Sequence, residues 1–164
     1  MKALTATSLL ALVMMVPAQD PKEQWQRVYT GEDSVVELET SSVTFVEYHL
    51  AKKVTFASTR AGRVRFRTIF SRLQTLDEKP VIKYKSHYET LEFQCPPRTD
   101  SVVYPRPVVW YRRYEATLRD ARGKTVKSYD ADAADLWREI KSGSLMEKRS
   151  DAACRLIDQK RQNP

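Results

Sequence analysis

Along residues 63–73 hydrophobic and polar side chains alternate one by one. Val64, Phe66 and Phe70, with Thr68, share one parity, and Arg63, Arg65 and Arg67 share the other. A period of two, apolar on one side and basic on the other, predicts a half-exposed strand of an antiparallel sheet. Shorter alternating runs predict strands over 25–29, 35–39, 43–50, 108–118 and 124–129, and a long one over 81–94. Within 81–94 the face shared by Ile82, Tyr84, Ser86 and Tyr88 gives way to Leu91, Phe93 and Cys95. That switch predicts a bulge or bend near Thr90. Gly31-Glu32-Asp33 and Asp120-Ala121-Arg122-Gly123 read as turns. Cys95-Pro96-Pro97-Arg98 ends a strand, because proline lacks the ladder donor.

The last third changes period. Residues 131–140 hold helix formers, with Leu136, Trp137 and Ile140 spaced for one buried face. Trp137 is expected to anchor this helix in the core. Gly143 breaks it. Ser144-Leu145-Met146-Glu147 then matches a capping box, in which hydroxyl and carboxylate serve each other's backbone donors at a helix start. The second short helix carries Cys154 near its end, and residues 159–164 read as a frayed polar tail.

The first residues follow another logic. Lys2 precedes an apolar run from Leu9 to Val16, and Val16-Pro17-Ala18 suits signal-peptidase cleavage. The pattern is that of a secretory signal peptide over 1–18. About eight to ten apolar residues are too few for a bilayer that needs about 20. A polar leader over 19–24 and a single domain over 25–158 follow, and a mature chain of about 146 residues is ordinary for one domain. Export places Cys95 and Cys154, the only two cysteines, in an oxidising compartment, where a lone pair is most often a disulfide. The signal region holds no cysteine, so the protein reads as periplasmic or secreted and not as a lipoprotein.

The formal charge is +7. A basic exported protein can meet anionic partners such as glycans, lipopolysaccharide or nucleic acid, or acidic proteins. The candidate anion-binding residues are Arg63, Arg65 and Arg67 on one strand face and Arg112 and Arg113 on another strand. Lys83, Lys85 and Lys124 join if their strands are neighbours. Like charges along a strand must be solvated or met by acids across the sheet, such as Glu115 or Glu89.

Catalytic signatures are absent. No HExxH, GxSxG, glycine-rich phosphate loop or CxxC occurs. His49 and His87 sit in strand patterns and read as structural. Asp130, Asp132 and Asp135 lack the glycine and distal glutamate of an EF-hand loop. Neither a metal nor a cofactor is expected.

Several short motifs fall in a recognisable order. Trp25 comes first, then Tyr84-Lys85-Ser86 and Glu92-Phe93-Gln94-Cys95. Gly123-Lys124-Thr125-Val126 follows in a hairpin ending near Tyr129, and then Trp137, Glu139-Ile140, Ser142-Gly143-Ser144 and Cys154. This order, over residues 25–154, resembles the surface-adhesin protein E family of exported bacterial proteins. Lys124-Thr125-Val126 interrupts the family's usual valine pair, and Lys141-Ser142 stands where the family has a proline before Gly143. The resemblance implies an adhesive role; the best-known members are lipoproteins displayed on the outer membrane, which this chain is not expected to be.

Together these features predict an α+β fold: a mainly antiparallel sheet closed by two short C-terminal helices and the Cys95–Cys154 disulfide. The expected function is that of an exported, non-enzymatic, adhesin-like binding module that uses its basic sheet face for anionic or protein partners. The alternative is a structural cell-envelope protein that binds another envelope protein.

Overall fold

The computed structural model describes residues 24–46, 60–95, 109–130 and 137–163. The expected signal peptide, His49, the end of the 43–50 strand, the proline-rich 96–108 segment and residues 131–136 lie outside them. The described chain forms β1 (Trp25–Thr30), β2 (Ser34–Glu39), β3 (Thr44–Phe45), β4 (Ala61–Leu76), β5 (Ile82–Gln94), β6 (Trp110–Arg119), β7 (Thr125–Tyr129), β8 (Arg138–Glu139) and α1 (Leu145–Gln162). The strands make one antiparallel sheet in the order β1-β2-β4-β5-β6-β7, with β3 also on β4 and β8 also on β6.

Alternation decides which face is covered. Val36, Leu38, Val64, Phe66, Leu91 and Phe93 are buried on one face, beneath Ala153, Leu156 and Ile157 of α1. Phe66 and Phe93 meet edge to face at 6.1 Å. The helix lies so close to β4 that a Cβ at Gly62 would stand 2.9 Å from Ile157 Cδ1. A charged cluster sits inside the same interface. Arg149 donates to Glu89 and, at 2.9 Å, to Thr68 Oγ1.

The disulfide joins Cys95, at the end of β5, to Cys154 in α1, with Cα atoms 5.7 Å apart. Arg60, just before β4, also grips α1 by donating from Nε to Asp158 at 2.6 Å. The expected cap forms at Ser144, with the carboxylate half of the box shifted by one residue to Gly143. Glu147 N–H donates to Ser144 Oγ at 3.2 Å, and the Glu147 carboxylate accepts from Gly143 N–H at 2.6 Å. Ser144→Ala is therefore expected to cost about 1 kcal/mol in chemical denaturation; an unchanged midpoint would mean the cap does not support the fold.

The C-terminal third differs from the two-helix expectation. There is one described helix, 18 residues long, and it runs through Gln162, so residues 159–162 are helical rather than frayed. Cys154 lies in its middle. Residues 137–140, expected at the end of a helix, are extended: β8 pairs with Trp110 and Tyr111, and Ile140 N–H donates to Val109 O at 3.1 Å. An open stretch of β6 edge offered backbone partners there, and those ladder bonds outcompeted a helical period only ten residues long. Ile140 still packs against the core. Trp137 does not enter it and is half-buried instead.

The irregularity expected near Thr90 is present, and the extra residue belongs to the partner strand. Thr90 pairs with Glu115 and Leu91 with Arg113, leaving Tyr114 of β6 unmatched. Strand β5 itself keeps its alternation there: Glu89, Leu91 and Phe93 face the helix, while Tyr88, Thr90 and Glu92 face away from it.

Candidate binding face of the sheet

Among the described residues, α1 covers one face of the sheet and no second layer covers the other. Arg63, Arg65 and Arg67 all project to that outer face while Val64 and Phe66 enter the core, as alternation requires. Each arginine meets a glutamate from a neighbouring strand. Arg63 Nε donates to Glu92 at 2.8 Å, Arg67 Nε donates to Glu37 at 2.6 Å, and Arg65 lies 3.1 Å from Glu39. Arg112 shares Glu92, at 3.0 Å. The partners suggested by sequence are engaged elsewhere: Glu115 accepts from Thr90 Oγ1 at 2.6 Å, and Glu89 faces Arg149 under the helix.

The other expected basic residues do not assemble with them. Arg113 is opposite Leu91 on the helix face, 3.9 Å from Glu89, because consecutive strand residues point to opposite faces. Lys83 lies at the far end of β5, opposite Thr75. Lys85 is spent on a backbone carbonyl, donating to Ser71 O at 2.5 Å in the irregular stretch of β4. Lys124 is in the β6–β7 turn, where its N–H donates to Asp120 Oδ1 at 2.9 Å. The eight candidate cations thus reduce to four on one face, each beside a carboxylate.

Aromatic rings complete the outer face. The Arg63 guanidinium lies 3.7 Å from the Tyr114 ring centroid, Arg67 4.1 Å from Trp25, Arg119 4.2 Å from Tyr88 and Arg112 4.9 Å from Trp137. Trp25 and Tyr88 also meet edge to face at 6.0 Å. A guanidinium held by a carboxylate and a ring loses little further freedom on binding. Glu37, Glu39, Trp25, Tyr88 and Arg119 were not singled out from sequence as parts of a site, whereas Tyr114 was a candidate for stacking beside the basic face. The one available signal was parity: Trp25, Glu37 and Glu39 alternate with inward residues in their own strands.

Glu92 is the most unusual group on this face. It is fully buried beneath Arg63 and Arg112. Burial pushes its carboxyl above the usual range, and Arg112 opposes that rise. On the helix face, His87 is held below its usual value of 6.5 by burial first and then by Arg113 and Arg149, with Glu89 acting against them. A lowered histidine favours the fold when neutral. That contribution is complete above about pH 6.5 and is lost as pH falls through the folded-state value. The protein should therefore lose stability on acidification below pH 6.5, and His87→Gln should flatten that part of the profile in urea titrations. An unchanged slope would remove His87 as its cause.

A cavity of about 260 Å³ opens on the outer face between Trp25, Tyr88, Arg65, Arg119, Glu115 and Thr117. A second, of about 210 Å³, lies between β1 and α1 and is lined by Arg27, Lys148, Asp151 and Arg155. Both are smaller than the roughly 300–1,000 Å³ usual for small-molecule sites. Among the described residues no three His, Cys, Asp or Glu side chains converge as metal ligands, and no helix is long and apolar enough to cross a membrane. Compared with protein families, curated proteins and solved structures, the chain finds no match.

Proposed function

We propose that the protein is an exported, non-enzymatic, adhesin-like binding module whose outer sheet face engages an acidic protein surface. The observation that carries this reading is the array of arginines lying on glutamates and aromatic rings on a face without a second layer. Arginine, tyrosine and tryptophan are the residues that dominate protein interfaces, most of all when already held in place. A polyanion such as a sulfated glycan, lipopolysaccharide or nucleic acid draws its affinity from unneutralised cations. Here Glu37, Glu39 and Glu92 have already neutralised three of the charges of Arg63, Arg65, Arg67 and Arg112, and Arg119 adds to the small positive excess that remains. Export fits the leading apolar segment, and the Cys95–Cys154 bond suits an oxidising compartment. The motif order resembling the adhesin family points to the same class of function.

The test is site-specific photocross-linking with the mature chain. Benzoylphenylalanine at Trp110, which is exposed on the outer face, is compared with the same probe at Arg155 on the exposed side of α1. A single protein identified by mass spectrometry, cross-linked from Trp110 and not from Arg155, supports the reading when the purified partner binds the module and Tyr114→Ala weakens that binding. Cross-links only from Arg155, or binding to heparin or lipopolysaccharide that displaces the protein partner, would overturn it. A partner that is itself an envelope scaffold would place the module among structural envelope proteins.

A further inference from the structure

Four outer-face arginines lie beside glutamates; Arg119 does not. Its guanidinium rests on the Tyr88 ring, and its Nε is buried with no hydrogen-bond partner. It lines the outer-face cavity together with Arg65, Trp25, Tyr88 and Thr117. Glu115 lines the same cavity, but its carboxylate accepts from Thr90. The cavity therefore holds a donor-rich planar cation that the protein's own acids leave unpaired.

We propose that this cavity receives the carboxylate of an aspartate or glutamate side chain projecting from the protein partner, and that Arg119 is the residue that selects it. The inference rests on the binding-face reading and names what that face recognises. A guanidinium can pair with a carboxylate through two parallel N–H···O bonds, a geometry that a hydroxyl or amide cannot match. Tyr88 fixes the plane of the Arg119 fork. Arg65, at 44% side-chain exposure, keeps reach into the cavity while paired with Glu39. Trp25 and Tyr88 offer apolar ring edges to the methylene stem behind the carboxylate. A cavity of about 260 Å³ suits a side chain better than a free cofactor.

The test is nuclear magnetic resonance on the labelled mature chain, titrated with N-acetylglutamate α-amide. N-acetylglutamine α-amide serves as the neutral isostere and glucuronate as an acidic sugar. Saturable shifts are expected at the Arg119 Nε–H and the Trp25 indole N–H with the glutamate probe. They should be at least about tenfold weaker with the glutamine probe and absent in Arg119→Gln. Arg119→Lys keeps stem and charge and loses the fork, so its binding should fall between the two; it also covers the case in which glutamine unsettles the sheet. No saturable shift at either group, or equal binding of the two amides, would overturn the proposal. Tighter binding of glucuronate than of the glutamate probe would overturn the protein source in favour of an acidic glycan. If Trp110 cross-links survive Arg119→Gln with unchanged partner affinity, the carboxylate receptor is wrong and the binding face stands. If outer-face cross-links are absent from the start, the face itself is wrong.

Discussion

Alanine at both Arg63 and Arg112 is expected to destabilise the protein by about 3–5 kcal/mol, the usual cost of leaving a buried charge without its partners. Both guanidiniums converge on Glu92, whose carboxylate has no exposure to water. Removing the acid instead should cost less. In Glu92→Gln the two arginines, at 27% and 32% side-chain exposure, can turn to solvent and no buried charge remains. Adding Glu92→Gln to the double-alanine variant should therefore restore part of the lost stability. The pH dependence follows in sign. Burial already raises the Glu92 value in the fold, and loss of Arg112 removes the main opposing influence. A raised carboxyl favours the fold when protonated, so its contribution is present below the unfolded value of about 4.5 and is lost as pH rises through the folded value. The double-alanine variant should recover stability relative to wild type as the solution is acidified toward that range. Urea titrations across pH measure all three quantities. A double-alanine variant within about 1 kcal/mol of wild type at neutral pH would show that Glu92 finds other partners.

Replacement of Cys95 and Cys154 by alanine is expected to lower stability by about 4 kcal/mol. The bond closes a loop between residues 59 apart in sequence, and opening it restores that freedom to the unfolded chain. For a domain of this size the melting temperature should fall by roughly 10 °C. The effect should concentrate at the helix. Without the bond, α1 is held by the packing of Ala153, Leu156 and Ile157 and by the ionic contacts of Arg60 with Asp158 and Arg149 with Glu89. Hydrogen exchange should therefore accelerate in α1 before it does in β4 and β5. A loss below about 1 kcal/mol, or uniform acceleration across the sheet, would mean that packing alone holds the helix.

These two results bear on function as well as stability. If the outer-face arginines hold Glu92 in place, replacing them to test binding also damages the fold. Charge reversal of Arg63, Arg65 and Arg67 is thus a poor probe of recognition, because each change removes a partner from Glu92, Glu39 or Glu37 and sets a like charge beside it. Arg119 and Tyr114 are cleaner probes: Arg119 has no carboxylate partner among the described residues, and Tyr114 is an exposed bulge residue.

Much of the fold was legible in local pattern. Val64, Phe66 and the arginines between them announced their strand and their faces, and β1, β2, β6 and β7 lie within a residue or two of their alternating runs. The Asp120–Gly123 turn, with Gly123 at φ 80°, and the Ser144–Glu147 cap needed only their own side chains. The helix expected over 131–140 was misread at residues 137–140, because Trp137 and Ile140 satisfy a helical period and a short extended segment equally well. What broke the tie was the open edge of β6 at Trp110 and Tyr111, contributed from more than 25 residues away.

By itself the sequence determined the strands other than β8, the turns, the start of α1 and the only available cysteine pairing, because each rests on side-chain period or on neighbours within a few residues. Tertiary structure decided what the basic strand means. Arg63 finds Glu92 across 29 residues and Arg67 finds Glu37 across 30, through registers that no local period encodes. A single unmatched residue, Tyr114, kept Arg112 on the outer face and helped place Arg119 over Tyr88. Alternation tells a charge which way to point; only the pairing of distant strands determines which opposite charge, if any, meets it.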